Sequence, residues 1–184
     1  MSSKDRSADP ILFCSGGCRS GKSAYAQAWI EARSAHPVYI ATAYISDAEM
    51  AERVKKHQAA RGGHWRCLEP LPPAWMDPEG IIAQAAALGD GILFDCLTLW
   101  VSACLDLRCA DSAILGLAER MAGALRRTGL PVALVSNELG MGLVPEHALS
   151  RYFRDIAGLV NQRMAACADE AVFLVSGLPL VLKS

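Results

Sequence analysis

A glycine-rich turn between a predicted strand and a predicted helix constrains the fold of this chain most strongly. Residues 11–14 (ILFC) have strand character, and a helical pattern begins near Lys22. Around the turn, Gly16, Gly21, Lys22 and Ser23 match the spacing G-x-x-x-x-G-K-[ST]. Glycines let successive backbone N–H groups face phosphate oxygens, and the N-terminus of the following helix adds its positive dipole end. We therefore predict a phosphate-binding loop, or P-loop.

Two side chains of this loop have predictable roles toward a nucleotide. Lys22 is placed to reach the β- and γ-phosphates, and the Ser23 hydroxyl can ligate Mg²⁺. A chance match within a Gly/Ser-rich turn is the alternative, and the flanking strand and helix argue against it. The motif indicates a ligand class but no reaction. The predicted nucleotide-binding loop comprises Gly16, Gly17, Cys18, Arg19, Ser20, Gly21, Lys22 and Ser23.

Apolar runs alternate with helical patterns along the rest of the chain. The alternation predicts βαβ units, and hence an α/β fold with a mostly parallel sheet and helices on both faces. We expect a flexible N-terminal leader over residues 1–10 and a single P-loop α/β domain over residues 11–184. Further strands are predicted at 38–42, 65–69, 91–95, 131–136, 171–176 and 180–182, and helices at 23–34, 46–60, 78–88 with Asp77 as N-cap, 97–107, 111–128 and 146–168. The last helix should bury one face formed by Leu149, Phe153, Ile156, Val160 and Met164.

The composition argues against several classes of partner and location. A net charge of -1 gives no electrostatic reason to expect a nucleic-acid partner, and no apolar run is long enough for a membrane span. The first ten residues lack a hydrophobic signal core, and the seven cysteines form no C-x-x-C pair. A reducing, cytoplasmic location fits best. Cys18 could be an oxidation-sensitive thiol, but we expect it simply to fill space.

Polar residues at the carboxyl ends of the predicted strands are candidates for ligand binding. Asp95 ends an apolar strand, so it either holds Mg²⁺ as a Walker-B-type carboxylate or caps the next helix. The segment 137–142 contains two glycines, and it is either a ligand-contacting flap or a plain connection. Three arginines of the last predicted helix form a solvated face, line a subunit interface or bind a phosphorylated substrate: Arg151, Arg154 and Arg163.

The predicted helix 46–60 carries one histidine of interest. Met50, Val54, His57 and Arg61 fall on one face at helical spacing. The first two should anchor the helix, which leaves His57 and Arg61 at its far end. Spacing alone allows His57 to be either a half-buried structural residue or a group that faces a ligand.

Several longer stretches together resemble the bifunctional cobinamide kinase/cobinamide-phosphate guanylyltransferase family of cobalamin biosynthesis. The combination of NE-x-G-M-G-x-VPE with R-x-FRD-x-AG is distinctive, and the resemblance covers most of the chain from residue 11 onward. The matching stretches are SGGCRSGKS (15–23), YIATAYISDAEMAERVKKHQAARGGHW (39–65), LFDCLTLWV (93–101), SNELGMGLVPE (136–146) and RYFRDIAGLVNQRMAACADEAVFLVSGLPLVLK (151–183).

The resemblance implies two successive reactions on a corrinoid partner. ATP or GTP phosphorylates the aminopropanol hydroxyl of adenosylcobinamide, and GMP from GTP is then transferred to that phosphate to give adenosylcobinamide-GDP. The second reaction passes through GMP held covalently on a histidine. The matching residue is His57, within the segment 53–57 (RVKKH). Mg²⁺ is the implied cofactor, held by Ser23 and Asp95.

The resemblance also extends the nucleotide site beyond the loop and implies an assembly. Glu69 is the candidate that reads guanine, and Asp95 is left open between metal and guanine. Related proteins have a RecA-like P-loop fold and assemble as homotrimers. Two departures are Cys18, where alanine is usual, and Lys56, which leaves no second histidine beside His57. The residues added to the site are Ala41, Thr42, Ala43, Gln58, Ala59, Ala60, Arg61, Glu69 and Asp95.

Overall fold

Seven strands form one sheet in the computed structural model, which describes residues 9–42 and 62–184. Their spatial order is β3-β2-β4-β5-β1-β6-β7, and every neighbouring pair is parallel except β6 and β7. The predicted mostly parallel α/β sheet is confirmed. The strands are β1 (Ile11–Gly16), β2 (Pro37–Ala41), β3 (Arg66–Leu68), β4 (Gly91–Asp95), β5 (Val132–Asn137), β6 (Glu170–Val175) and β7 (Leu178–Lys183).

Helices cover both faces of the sheet, as predicted. Alternate residues of a strand point to opposite faces: Phe13 of β1 joins the apolar layer under α2 to α5, whereas Leu12 joins the layer under α1. None of the helices among the described residues is long and apolar enough to cross a bilayer. The predicted helix 46–60 lies outside the described residues. The helices are α1 (Lys22–Glu31), a 3₁₀ turn (Ala74–Met76), α2 (Pro78–Leu88), α3 (Leu97–Asp106), α4 (Asp111–Thr128) and α5 (Ala148–Cys167).

One predicted detail of the last helix is wrong. Helix α5 begins at Ala148, and Leu149 is 71% exposed. The first turn of α5 extends past the apolar layer, so the buried face of this helix begins only after it. The predicted edge strand 180–182 is confirmed and is longer than expected, because a tight turn after Val175 lets the chain pair back along β6 over the six residues of β7.

Asp169 ties the start of β1 to the rest of the sheet. Its carboxylate accepts hydrogen bonds from the Ile11 N–H at 2.8 Å and from the Arg126 guanidinium at 2.8 and 2.9 Å. Partial burial raises the pKa of this carboxyl, but these hydrogen bonds outweigh it and lower the pKa below its ordinary value. The ionised form is therefore the one that stabilises the fold.

We expect Asp169→Asn to lower the free energy of unfolding at pH 7, because the amide lacks the negative charge that strengthens the hydrogen bonds from Ile11 and Arg126. The loss should be only about 1 kcal/mol, because the site is partly solvated. Wild-type stability from this group is present above the ordinary aspartate pKa and is lost as pH falls through the lowered native pKa. The difference between variant and wild type should therefore shrink in acid. Urea titrations at pH 7 and pH 3 measure it, with the exposed Asp106→Asn as control; an unchanged difference at pH 3 would contradict the assignment.

Candidate functional site

The glycine-rich loop connects the carboxyl end of β1 to the first turn of α1, as the motif predicts. A Cβ on Gly16 would lie 2.6 Å from both the Leu174 carbonyl oxygen and the Ser20 hydroxyl, so a larger residue does not fit there. Gly21 has φ 94°, a conformation that side-chain-bearing residues rarely adopt. The two motif glycines are therefore required by close approach and by backbone conformation, respectively.

Lys22 folds its side chain back into the loop. Its ammonium donates to the Gly17 carbonyl oxygen at 2.8 Å, and the residue is only 8% exposed. Gly17, Cys18 and Arg19 form the exposed outer side of the loop. A buried ammonium beside several backbone N–H groups is a suitable arrangement for an anion, because a phosphate oxygen is a stronger acceptor than the carbonyl.

The Ser20 hydroxyl is the second group that points to a ligand. Ser20 is 7% exposed, and its Oγ has no hydrogen-bond partner among the described residues. A buried hydroxyl without a partner destabilises a fold by about 1–3 kcal/mol. A phosphate oxygen in the loop would supply the missing partner.

The carboxylate of Asp95 lies at the same end of the sheet as Lys22. β4 is separated from β1 only by β5. Lys22 and Asp95 are both close enough to affect the pKa of the Cys14 and Cys96 thiols, which the charge of Lys22 lowers and the charge of Asp95 raises. The N-cap residue of α3 is Cys96, not Asp95, which removes the simple capping interpretation. Thr42 holds the neighbouring strand end in place: its hydroxyl donates to the Cys96 carbonyl at 2.8 Å and accepts from the Cys96 N–H at 2.5 Å.

The donor set at this end of the sheet suits Mg²⁺. The Ser23 hydroxyl and the Asp95 carboxylate are oxygen donors, which Mg²⁺ prefers, and it commonly takes one or two protein ligands together with substrate phosphates. Within residues 9–42 and 62–184, no group of three or more His, Cys, Asp or Glu side chains forms a metal site of its own. Nucleotide phosphates would therefore have to complete the coordination.

A buried polar network fixes the carboxyl end of β5 between Asp95 and the loop. The Ser136 hydroxyl donates to the Asn161 side-chain oxygen at 2.6 Å, and the Thr98 hydroxyl lies 3.3 Å from Ser136. Thr98 accepts from the Asn137 N–H at 2.8 Å, and the Asn161 amide donates to the Asn137 carbonyl at 3.2 Å. The sequence singled out Asn137 but missed this network, because its members are brought together from β5, α3 and α5.

The segment after β5 is attached to the loop at one end and to α5 at the other. The Glu138 N–H donates to the Gly16 carbonyl at 3.0 Å, and Arg151 donates to the Pro145 carbonyl at 2.9 Å. Residues 140–144 between these anchors are exposed and form one wall of a groove of about 580 Å³ against α5. The groove is lined by Gly140, Gly142, Val144, Arg154, Asp155, Gly158, Leu159 and Gln162.

The three arginines of α5 do not share one role. Arg151 holds the preceding segment, and Arg163 donates to the Glu119 carboxylate of α4 at 3.2 Å. Arg154, which lies 3.5 Å from Asp155, is the one that lines the groove.

The remaining predicted site residues lie at the carboxyl ends of other strands or outside the described residues. Ala41 ends β2 and pairs with Asp95, and the N–H of Thr42, the next residue, donates to the Asp95 carbonyl at 3.3 Å. Glu69 follows β3, four strand spacings or roughly 19 Å from β1. It is exposed, and the Cys67 thiol donates to it at 3.4 Å. The residues outside the described part are Ala43, His57, Gln58, Ala59, Ala60 and Arg61.

The cysteines near the loop divide into buried and exposed thiols. Burial raises the pKa of Cys14 to about 12 and that of Cys96 to about 11, so both are unreactive at neutral pH. Cys18 is exposed. The prediction that Cys18 fills space is therefore wrong, because its side chain lies on the outer side of the loop.

A solved structure shares this fold. The structure of the KaiC-like protein PH0186 from Pyrococcus horikoshii OT3 matches with a TM-score of 0.53 and 12% identity, over 89% of this chain and 70% of that chain. At this identity the match shows the fold alone, and it supports the predicted α/β P-loop fold.

Curated relatives are far more similar in sequence. The bifunctional adenosylcobalamin biosynthesis protein CobU of Salmonella typhimurium is 40% identical, over 94% of this chain and 99% of that protein. Escherichia coli CobU is 37% identical over the same shares, and Pseudomonas aeruginosa CobP is 40% identical over 91% of this chain and 94% of that protein. The model of the family described as cobinamide kinase / cobinamide phosphate guanyltransferase matches residues 12–182. The chain belongs to that family.

Proposed function

We propose that this protein phosphorylates adenosylcobinamide with ATP or GTP and then transfers GMP from GTP to the new phosphate. The products of the second reaction are adenosylcobinamide-GDP and pyrophosphate. The observation that carries the proposal is the family match over residues 12–182. The matched region contains the glycine-rich loop, into which the Lys22 side chain folds. The relatives named above are described as bifunctional adenosylcobalamin biosynthesis proteins, in agreement with two activities on one chain.

In the kinase reaction, the aminopropanol hydroxyl of the corrinoid attacks the γ-phosphorus of the nucleotide. The new O–P bond forms as the bond to the nucleoside diphosphate breaks. Lys22 moves from the Gly17 carbonyl to the phosphates, where its charge stabilises the charge that develops on the oxygens. The Ser20 hydroxyl donates to a phosphate oxygen and gains the partner that it lacks. Mg²⁺ held by Ser23 and Asp95 would neutralise further polyphosphate charge.

In the guanylyl transfer, His57 is the proposed nucleophile. Neutral imidazole attacks the α-phosphorus of GTP, a P–N bond forms, and pyrophosphate leaves. A phosphate oxygen of the phosphorylated corrinoid then attacks the same phosphorus, and the imidazole is released. His57 lies outside the described residues, so its role rests on the sequence match of the segment 53–57.

We assign guanine recognition to Glu69 and leave Asp95 to the metal. A carboxylate can accept from guanine N1–H and from its exocyclic amine together. Glu69 and the phosphate loop both follow the carboxyl ends of their strands, β3 and β1. A nucleotide lying across the strand ends from the loop would place its base near Glu69.

We further propose a homotrimer, as the sequence resemblance implies, and a cytoplasmic location, where the seven free cysteines would stay reduced. The support is an exposed apolar strand: Leu178, Leu180, Val181 and Leu182 of β7 are 58–72% exposed. Apolar surface of this kind is commonly covered in an assembly.

The proposed function is tested with adenosylcobinamide and one nucleotide at a time, following phosphate and GMP incorporation separately. ATP alone should give only the phosphorylated corrinoid, whereas GTP should give the guanylylated product as well. A protein that binds nucleotide but forms neither product would contradict the proposal. Formation of the phosphate alone with GTP would reduce it to a kinase.

Alkylation of the loop cysteine reports on nucleotide binding. Iodoacetamide at pH 8 should label Cys18 and Cys67, which are exposed, but not the buried Cys14 and Cys96. GTP should slow the labelling of Cys18 by about tenfold or more, because bound phosphates close the loop opening, and should leave unchanged the partly exposed Cys109, which follows the far end of α3. Mass spectrometry of tryptic peptides measures both rates, and equal labelling of Cys18 with and without GTP would contradict phosphate binding in this loop.

A further inference from the structure

The hairpin formed by β6 and β7 contacts the phosphate loop through its turn. Val175 at the end of β6 pairs with Leu178 at the start of β7. The two residues between them, Ser176 and Gly177, have φ of 52° and 84°. Two consecutive residues with positive φ are typical of the tight turns that join antiparallel strands. The turn therefore has a defined conformation.

Both ends of the phosphate loop lie against this hairpin. The Gly177 N–H donates to the Ser20 carbonyl oxygen at 2.9 Å. A Cβ on Gly21 would lie 3.2 Å from the Gly177 Cα, so the two backbones are in close contact. At the start of the loop, Gly16 pairs with Leu174 of β6 and leaves no room for a side chain there.

The hydrogen bond from Gly177 determines which way one peptide unit of the loop faces. In a trans peptide, the carbonyl and the N–H point in opposite directions. Because the Ser20 carbonyl is held on Gly177, the N–H of Gly21 points away from the hairpin. Gly21 immediately precedes α1, and backbone N–H groups at a helix N-terminus are those that bind phosphate.

The hairpin is itself held in place at its other end. The Lys183 ammonium donates to the Ala166 carbonyl at 3.3 Å and also to the Ala168 carbonyl, where α5 ends. A cation at the C-terminus of a helix also interacts favourably with the helix dipole. The turn is thus fixed relative to both the sheet and α5, and it can act as a rigid support for the loop.

We propose that Gly177 is a positioning residue for nucleotide binding, which orients the Ser20–Gly21 peptide so that the Gly21 N–H faces the phosphates. The inference rests on the proposed function, in which this loop binds the nucleotide phosphates. It gives a role to the segment SGLPLVLK (176–183), to which neither reaction assigns one.

Gly177→Val tests the proposal through the backbone alone. A Cβ on Gly177 would meet nothing within 4 Å, and a β-branched residue strongly disfavours φ 84°, so we expect the substitution to act through the backbone conformation. Dissociation constants for GTP and GMP are measured by calorimetry. GTP affinity should fall about tenfold or more, as expected for a lost charge-assisted hydrogen bond, and GMP affinity should fall less. The ratio of the two affinities therefore decreases, which a general loss of stability would not produce.

Gly129→Val is the matched control for backbone strain. Gly129 has φ 65°, its Cβ would also meet nothing within 4 Å, and it lies between α4 and the start of β5, at the end of the strands opposite to the phosphate loop. This variant should bind both nucleotides as wild type does. Gly177→Asn, which tolerates positive φ and keeps the N–H, should restore most of the GTP affinity. If Gly177→Val does not fold, Gly177→Ala is measured in the same way.

Two outcomes would overturn the proposal: unchanged GTP binding in Gly177→Val, or an equal loss of GTP and GMP affinity. Lys22→Ala separates this failure from that of the proposed function. If Lys22→Ala binds GTP as wild type does, the loop is not the phosphate site and the proposed function fails. If Lys22→Ala loses GTP binding and Gly177→Val keeps it, only the positioning role of Gly177 fails.

Discussion

Lys22→Ala is expected to reduce both corrinoid phosphorylation and guanylyl transfer by about 10²–10³-fold each, the usual effect of removing one preorganised donor from a reacting oxyanion. The ammonium already lies inside the loop, 2.8 Å from the Gly17 carbonyl, in a residue that is 8% exposed. Phosphate oxygens would replace that carbonyl as its acceptor. Because both reactions break a phosphoanhydride bond of a nucleotide in the same loop, one substitution should affect both.

The control for Lys22→Ala is Arg127→Ala, which removes one positive charge from α4. Arg127 is exposed and lies 3.2 Å from Glu79, so its loss should change stability by less than about 1 kcal/mol and should change neither activity. Initial rates for both products are measured on the same preparations. Guanylyl transfer at the wild-type rate in Lys22→Ala would show that the loop does not serve both reactions.

His57→Ala is expected to abolish guanylyl transfer, by at least about 10³-fold, as is typical of removing a nucleophile, while leaving corrinoid phosphorylation within about threefold. The kinase reaction needs no covalent intermediate on the protein, whereas guanylyl transfer passes through one. Incubation with α-labelled GTP should give protein-bound label in the wild type that is labile in acid and stable in alkali. The label should be missing in His57→Ala.

His64→Ala is the matched control for the histidine experiment. His64 lies seven residues further along the chain, is exposed, and its Nε2 is 3.9 Å from Glu31. The control variant should retain both the label and the activity. Label that persists in His57→Ala would assign the nucleophile to another residue, and a wild type that never becomes labelled would contradict a covalent route.

The sequence predicts the sheet and the loop well, because both depend on local patterns. Five of the strands contain apolar runs, namely β1, β2, β4, β5 and β6. The loop depends on two glycines that a short sequence motif identifies. The start of the helix at Pro78 was also predictable, since Asp77 accepts from the Gly80 N–H at 3.1 Å as an N-cap residue does. In each of these cases the predictive pattern lies within a short stretch of the chain, even though the strands that it predicts pair over long sequence distances.

Features that depend on distant parts of the chain were not predictable. The network of Thr98, Ser136 and Asn161 joins three elements, and no spacing in the sequence indicates it. The contact of Gly177 with Ser20 likewise joins positions at opposite ends of the chain. The sequence resemblance included the segment 176–183 but carried no information about what it touches.

Exposure was equally difficult to predict from periodicity. Leu149 falls on the apolar face of a helical pattern, yet it is exposed because the first turn of α5 extends beyond the layer that the sheet covers. Cys18 lies in a tight loop where a small apolar residue often packs, but this part of the loop faces outward. Periodicity indicates which residues share a face, and only the packed structure shows where that face ends.

On the proposed function, one protein transfers two different groups of GTP to the same corrinoid. The most direct test uses adenosylcobinamide and GTP that carries distinct labels on its α- and γ-phosphorus. The kinase reaction transfers the γ-phosphoryl group to the corrinoid, and the second reaction adds the α-phosphoryl group with its guanosine. We expect a single final product that contains the two labels in equal amounts. A final product that carries only the γ-label, or only the α-label, would contradict the two successive reactions.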